Sequence, residues 1–327
     1  MRVNKYKFIS FLIMANNAFF KISSYAPDQE KVLSLLAEGK KKNGKKICLM
    51  VAPSFVVDFG YFSFAPLMKS LGFDKVTELT FGAKVVNKYY HKYIKEHFTN
   101  YIKGGKKKDK NFQSKFIASV CPSCVELIKN RHPELKKYLM PFDSPVGAMA
   151  KIVRKNFPNH KIVFLAPCFA KKVEAQKFLD KKGNRLIETT ITFSEMKQIL
   201  SREKTKPKKV SHKFDSFYND YTKVYPLSGG LSATLHSKNI LNKEQMVSCD
   251  GCKDLLDLFD RHSHKVFYDI LFCSGGCIGG PGVKSGMPVF LKKLSMKGYV
   301  NIAKKESMEG KQGVEKYIKG IDFSKEF

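Results

Sequence analysis

At 327 residues, with 43% hydrophobic and 13% aromatic side chains, the chain can fill one large core or two lobes of ordinary domain size, which excludes a disordered protein. Its formal charge is +30, yet only six of the basic residues are arginine: Arg2, Arg131, Arg154, Arg185, Arg202 and Arg261. Planar recognition of phosphate or guanine favours Arg, so the charge reads as a lysine-coated surface with no specific nucleic-acid role, suited to drawing in an acidic redox partner.

The N-terminus has a basic start (Arg2, Lys5, Lys7) followed by the apolar run "FISFLIMA", Phe8 to Ala15. That run is far short of the roughly 20 residues of a spanning helix, and Asn16 and Asn17 follow where a signal peptide needs small residues. It is expected to start a strand or helix, and no membrane association is expected. Downstream, four short apolar runs read as buried strands: "KICLMVAPS" (Lys46 to Ser54), "FIASVCP" (Phe116 to Pro122), "KIVFLAPC" (Lys161 to Cys168) and "YDILFC" (Tyr268 to Cys273). Amphipathic stretches separate them, such as "CVELIKNRHPELKKYL", whose Val125, Leu127, Ile128, Leu135 and Leu139 are spaced for helical faces. Lysine-rich breaks at Gly104 to Lys110 and Ser201 to Lys213 are expected loops. The alternation predicts an α/β fold with mostly parallel sheets flanked by helices.

Eight cysteines are present: Cys48, Cys121, Cys124, Cys168, Cys249, Cys252, Cys273 and Cys277. A chain this long needs no disulfide staples, so a reducing compartment, the cytoplasm, and metal ligation are expected. Three of the four strand runs end in cysteine. Ligands of parallel α/β sheets bind outside the carboxyl ends of the strands, so Cys121, Cys168 and Cys273 are expected at one rim, with Cys277 added from the glycine-rich loop "FCSGGCIGGPG". Four thiolates suit tetrahedral zinc or an iron-sulfur cubane. The pairs Cys121/Cys124 and Cys249/Cys252 keep zinc open, as they do a thioredoxin-like redox pair. The glycines Gly275, Gly276, Gly279, Gly280 and Gly282 are expected to let backbone N–H groups approach a cluster. No G-x-x-x-x-G-K-[ST] or G-x-G-x-x-G pattern is present, which removes a phosphate cradle.

The segments "SVCPSC" (Ser119 to Cys124), "APCFAKKVE" (Ala166 to Glu174) and "FCSGGCIGGPG" (Phe272 to Gly282) resemble, in order, the three signature motifs of the iron-only ([FeFe]) hydrogenase catalytic domain. "VAPSFVVDFG" (Val51 to Gly60) and "YPLSGGL" (Tyr225 to Leu231) resemble its accompanying segments. The resemblance implies two α/β lobes with the cluster in the cleft between them. It implies a [4Fe-4S] cubane on Cys121, Cys168, Cys273 and Cys277, with Cys277 bridging to a diiron (2Fe) subcluster bearing CO and CN ligands. Lys171 matches the lysine that hydrogen-bonds a cyanide, and Glu174 the glutamate that follows it. Ferredoxin or another acidic electron carrier, and hydrogenase maturation proteins, are the implied partners.

Departures accompany the resemblance. Val120 stands where active members carry a proton-relay cysteine, and Ala166 and Leu271 stand where methionines flank the diiron unit. Cys124, one turn on, is a candidate substitute for the relay. The pattern resembles a sensory or uncharacterised branch, and implies either reversible dihydrogen conversion at low activity or hydrogen or redox sensing. The alternative is a non-catalytic electron-transfer or iron-sulfur assembly protein holding only a cubane, or a structural zinc. Three regions are expected: 1–45 as an N-terminal extension, following a ferredoxin-like module that is absent; 46–300 as the two-lobed cluster domain; and 301–327 as a tail. Cys249 and Cys252 read as buried thiols, His262 and His264 as surface residues, and Asp58 and Ser144 as residues of cleft-lining segments.

Overall fold

The structure, a computed structural model, describes residues 28–103, 112–217, 221–251, 254–305 and 313–327. Seven strands are present among them: β1 (Lys46–Val51), β2 (Lys75–Glu78), β3 (Phe116–Ile117), β4 (His160–Ala166), β5 (Thr189–Thr192), β6 (Met246–Asp250) and β7 (Phe267–Leu271). They form two sheets, one ordered β2-β1-β4-β5 and the other β3-β7-β6. All the pairings are parallel; Lys46 lies opposite His160 in the first sheet, and Met246 opposite Phe267 in the second. The two sheets are the two expected lobes.

The physical origin of the larger sheet is plain in its central strands. In β1, Ile47 to Val51 are all buried, as are Ile162 to Ala166 in β4, because helices cover both faces of a parallel sheet and exclude water from every side chain. Helix α1 (Gln29–Gly39) packs on β1 and β5, α2 (Tyr61–Leu71) on β2, and α3 (Thr80–Ile94) lies along α5 (Pro145–Asn156). Phe64 of α2 is fully buried against Phe55, with ring centroids 4.3 Å apart. In the smaller lobe, α4 (Pro122–Arg131) and α9 (Leu255–Arg261) enclose a second, smaller core around Ile117, Tyr268 and Ile270. The amphipathic stretch after Cys121 is broken at His132 and Pro133, where a 3₁₀ turn begins, since proline cannot continue the helix.

Three further helices are α6 (Ala170–Gln176), α7 (Phe193–Arg202) and α8 (Gly230–Ser237); the last long helix is α10 (Val289–Lys305). A Thr192/Glu195 capping box starts α7. Lys172, buried, reaches from α6 to Asp28 (3.0 Å) and Glu195 (2.8 Å), tying the entrances of α1 and α7. Lys223, Glu78 and Tyr299 form a buried polar triad that anchors α10 beside β2, with Lys223 Nζ 2.8 Å from the Tyr299 hydroxyl. These lysines are interior, unlike the lysine coat expected of the surface.

The described residues outside 46–300 join this core. Val32 and Leu36 of α1 are buried, α10 runs through position 300, and Phe323 is buried with its carbonyl accepting from Asp143 N at 2.8 Å. Of the expected loops, 203–213 contains neither helix nor strand, and 104–110 lies outside the described residues, as does the apolar run 8–15. No helix among the described residues is long and apolar enough to cross a membrane.

Candidate metal centre

Each of the four cysteines follows the carboxyl end of a strand. Cys168 comes two residues after β4, and Cys273 two residues after β7. Cys121 comes four after β3 as the extended residue that precedes α4 (φ −96°, ψ 111°), and Cys277 lies in the 3₁₀ turn Gly276–Gly279. All four line one cavity of about 810 Å³, its open mouth included. The larger lobe supplies Cys168, and the smaller supplies the other three. Strand ends of two parallel sheets thus face a common space, as the topology requires.

The glycine-rich loop also packs closely against the rest of the chain. Gly276 has φ +73°, and a Cβ there would lie 2.5 Å from the Pro226 carbonyl oxygen; at Gly280 it would lie 2.5 Å from that of Pro167. Cys277 N donates to Pro226 O (2.8 Å) and Gly282 N to Pro167 O (2.7 Å). The missing side chains let this loop press against two other backbone segments, one of them the end of β4 that carries Cys168. The N–H of Cys277 is therefore already engaged, and the glycines fix the sulfur positions by packing the chain.

Electrostatics describe the donor set. Burial pushes the Cys168 thiol up to about 11 and that of Cys277 up to about 12, with the neighbouring cysteines adding to the rise. Burial also raises Cys273, again reinforced by Cys168, Cys121 and Cys277. Cys121 alone falls, to about 6, chiefly through a hydrogen bond from the Cys124 thiol. Three sulfurs whose ionisation burial and neighbouring cysteines oppose, beside a fourth that ionises readily, are a set that becomes stable as thiolates around a cation. Among the described residues, no three His, Cys, Asp or Glu side chains converge tightly enough for a single metal ion. A cubane does not require such convergence, because each cysteine binds its own iron. The donor set fits that group.

Lys171, on the first turn of α6, is buried and lines the same cavity. Its Nζ donates to Glu174 Oε2 at 2.7 Å and to the Val120 carbonyl at 3.1 Å. Burial alone would pull its pKa down, but the Glu174 carboxylate more than reverses this, so the ammonium is retained. Glu174, also buried, is not part of the wall; it holds the lysine from behind. The i, i+3 spacing on one helix face brings the two together.

Val120 and Leu271 both line the cavity, and Ala166 is buried at the end of β4. Cys124 does not line it. Its sulfur is 3.5 Å from the Ile270 carbonyl, within the small lobe's core. Cys121 is extended rather than helical, so helical spacing does not carry Cys124 to the cavity. Asp58 accepts from Lys284 N (2.8 Å) and pairs with Lys197 (3.3 Å), and Ser144 is buried at the start of α5. Cys249, on β6, is half-buried and disulfide-bonded, in place of the expected buried free thiol; Cys252 lies outside the described residues. His264 is exposed and His262 half-buried.

One wall residue escapes a reading of the sequence. Ser54 is fully buried, lines the cavity, and its Oγ has no hydrogen-bond partner among the described residues. An unpaired buried hydroxyl is costly, so this atom is a polar handle for whatever fills the space. Ser54 follows the carboxyl end of β1, and the strand-end rule that singles out the cysteines applies to it equally.

Comparison with known proteins agrees with this geometry. Residues 45–281 match the family described as "Iron only hydrogenase large subunit, C-terminal domain". Iron hydrogenase 1 of Clostridium pasteurianum is 23% identical over 277 residues, covering 70% of this chain and 46% of that protein, so the chain spans about half its length. The fold is shared with the [FeFe]-hydrogenase HydA1 from Chlamydomonas reinhardtii (TM-score 0.67, 15% identity, 89% of this chain and 92% of that one). It is shared too with an [FeFe]-hydrogenase solved in work on oxygen inactivation at the 2Fe subcluster of its H cluster (TM-score 0.68, 16% identity, 86% and 91% covered). The chain belongs to the iron-only hydrogenase family, as a member of the C-terminal domain of its large subunit.

Proposed function

We propose that this chain is an iron-sulfur redox protein of hydrogenase type, with a [4Fe-4S] cubane on Cys121, Cys168, Cys273 and Cys277 and a diiron subcluster with CO and CN ligands next to Cys277. One observation carries the reading: four cysteines from two lobes line a single cavity whose remaining wall is largely apolar. When bound, the metal centre supplies an electron relay and the place where two electrons and two protons interconvert with dihydrogen. Electrons are exchanged with a ferredoxin or another acidic carrier, and maturation proteins load the diiron unit.

The chain's own residues set the character of the site. Lys171 presents a cation held in place by Glu174 and the Val120 carbonyl, suited to an anionic ligand such as cyanide. Ser54 presents a hydroxyl with no competing protein partner among the described residues. Pro53, Val120 and Leu271 exclude water from the same space. General acid catalysis needs a titratable group within hydrogen-bond reach of the reacting atom. With the cysteines engaged as ligands, the titratable side chains left in the wall are Lys171 and Tyr225, and neither residue type is an effective acid near neutral pH. Hydrogen sensing or slow turnover follows, rather than rapid evolution of hydrogen.

Infrared spectroscopy on protein expressed anaerobically with hydrogenase maturases, combined with iron and zinc analysis, tests this. Metal-bound carbonyl and cyanide bands are expected. About four irons per chain without those bands would leave a cubane-only electron carrier, and zinc in place of iron would overturn the reading altogether. Val120→Cys in fully loaded protein should raise hydrogen evolution from an artificial reductant by about 10²-fold; an unchanged rate contradicts the missing-relay argument.

A further inference from the structure

The C-x-x-C sequence of Cys249 and Cys252 has no place in the proposed cluster. Cys249 is disulfide-bonded, whereas Cys48, Cys121, Cys124, Cys168, Cys273 and Cys277 are free thiols. Cys252, the eighth cysteine, lies outside the described residues, and the sequence sets it at the spacing of thiol–disulfide redox centres. One disulfide in a chain of free thiols does not make a stapled framework. Where the surroundings keep most thiols reduced, such a bond is redox-active rather than structural.

The two residues between these cysteines both touch the Cys273–Cys277 loop. Asp250 Oδ1 accepts a hydrogen bond from Gly275 N at 2.9 Å, a contact strengthened by the carboxylate charge. Gly251, with φ +68°, comes so near that a Cβ on it would lie 3.4 Å from the Ser274 Cα. Gly275 and Gly276 are both left-handed, with φ +80° and +73°, and Gly276 N donates to Cys273 O at 2.9 Å. The Asp250 carboxylate thus pins the tight turn that carries the chain from Cys273 to Cys277. Cys249 is half-buried on β6, opposite Ile270 of β7, the strand that leads into Cys273.

We infer that Cys249 and Cys252 form a thiol–disulfide switch whose state controls how firmly Asp250 holds the Cys273–Cys277 loop. The reactant is a dithiol. Its first sulfur attacks the disulfide to give a mixed disulfide, and its second displaces the first. The bond to Cys249 breaks, the dithiol becomes a disulfide, and two electrons and two protons pass to the pair, which is left as two thiols. In the disulfide form a short covalent ring restricts the backbone of Asp250 and Gly251. In the dithiol form that restriction is gone, and the contact with Gly275 opens more often. The switch itself needs no metal; its consequence, faster loss of iron in the dithiol form, rests on the cubane reading above.

The test uses dithiothreitol on the full chain, purified anaerobically without added thiols. Thiol labelling is read by peptide mass spectrometry, and amide hydrogen exchange is followed at Gly275. Cys249 and Cys252 should label only after reduction, and exchange at Gly275 should then rise about tenfold. Iron should pass to a ferrous chelator faster by a similar factor. Cys249→Ser with Cys252→Ser should show the fast exchange with or without the dithiol. Asp250→Ala should keep the reducible disulfide yet exchange fast in both states, which places the effect on the carboxylate and not on misfolding of the cysteine variant. Labelling of both cysteines before reduction, or reduction that leaves Gly275 exchange unchanged, would overturn the switch. Exchange that follows the dithiol in protein that never acquires iron would uphold the switch and refute the cubane reading.

Discussion

The two lobes are unequal in ways that bear on function. The larger has four parallel strands and fully buries Phe55, Phe64, Phe81, Phe164 and Phe193. The smaller has three strands, one of them only two residues long; Phe116 and Phe267 on one side of it join the larger core, and a second core of twelve side chains lies on the other. Yet the smaller lobe supplies three of the four cysteines. Small cores are commonly reinforced by metals, and the inequality implies a division of labour. The larger lobe presents Cys168, Lys171 and Ser54, and on the proposed reading the smaller would draw part of its cohesion from the cluster.

The largest effect should come from the scaffold. Phe64→Ala leaves a cavity beside Phe55 and Phe59, and should cost about 3–5 kcal/mol of global stability in denaturant unfolding; a loss confined to the smaller lobe would break the comparison. Next comes removal of the cluster by chelation after oxidation. In hydrogen exchange, protection of β6 and β7 should fall about 100-fold, or about 2.8 kcal/mol, while β1 and β4 remain protected. Equal loosening of both sheets would argue against the division.

A smaller, pH-dependent effect should belong to the larger lobe. Burial lowers the pKa of His91 on α3 to about 4, with Lys95 and Lys238 adding to the shift. Its unfolded-state value is near 6.5, so between those limits the unfolded chain binds the extra proton, and stability falls as pH drops. Between pH 7 and pH 5 the loss from this residue is about 2 kcal/mol. His91→Leu should remove that part of the acid dependence, measured by thermal unfolding at the two pH values, and an unchanged slope would contradict it.

Legibility in the sequence followed the length and apolarity of each strand. Strands β1, β4 and β7 stand out because their apolar runs are buried on both faces; β3 forms only two residues of its expected run. Strands β2 ("KVTE") and β5 ("TTIT") are four residues each, lie at the sheet edges and hold one strongly apolar residue apiece, so no hydrophobic period reveals them. The site was readable where its chemistry is rare: four cysteines at strand ends. Ser54 was missed although it too follows a strand end, because serine is not a rare metal-ligand type and its meaning lies in the cavity it faces. The glycines were visible, but their purpose was not, since only the folded chain shows the carbonyls of Pro226 and Pro167 against Gly276 and Gly280.

The most direct measurement is the iron content and electron paramagnetic resonance spectrum of anaerobically purified Cys168→Ala beside the wild type. In the proposed cluster Cys168 is the ligand that the larger lobe contributes, so its loss should remove or degrade the reduced cubane signal and lower iron below the wild-type level of about four per chain, or more when the diiron unit is loaded. An unchanged cubane spectrum at full iron content would contradict a cluster held between the two lobes.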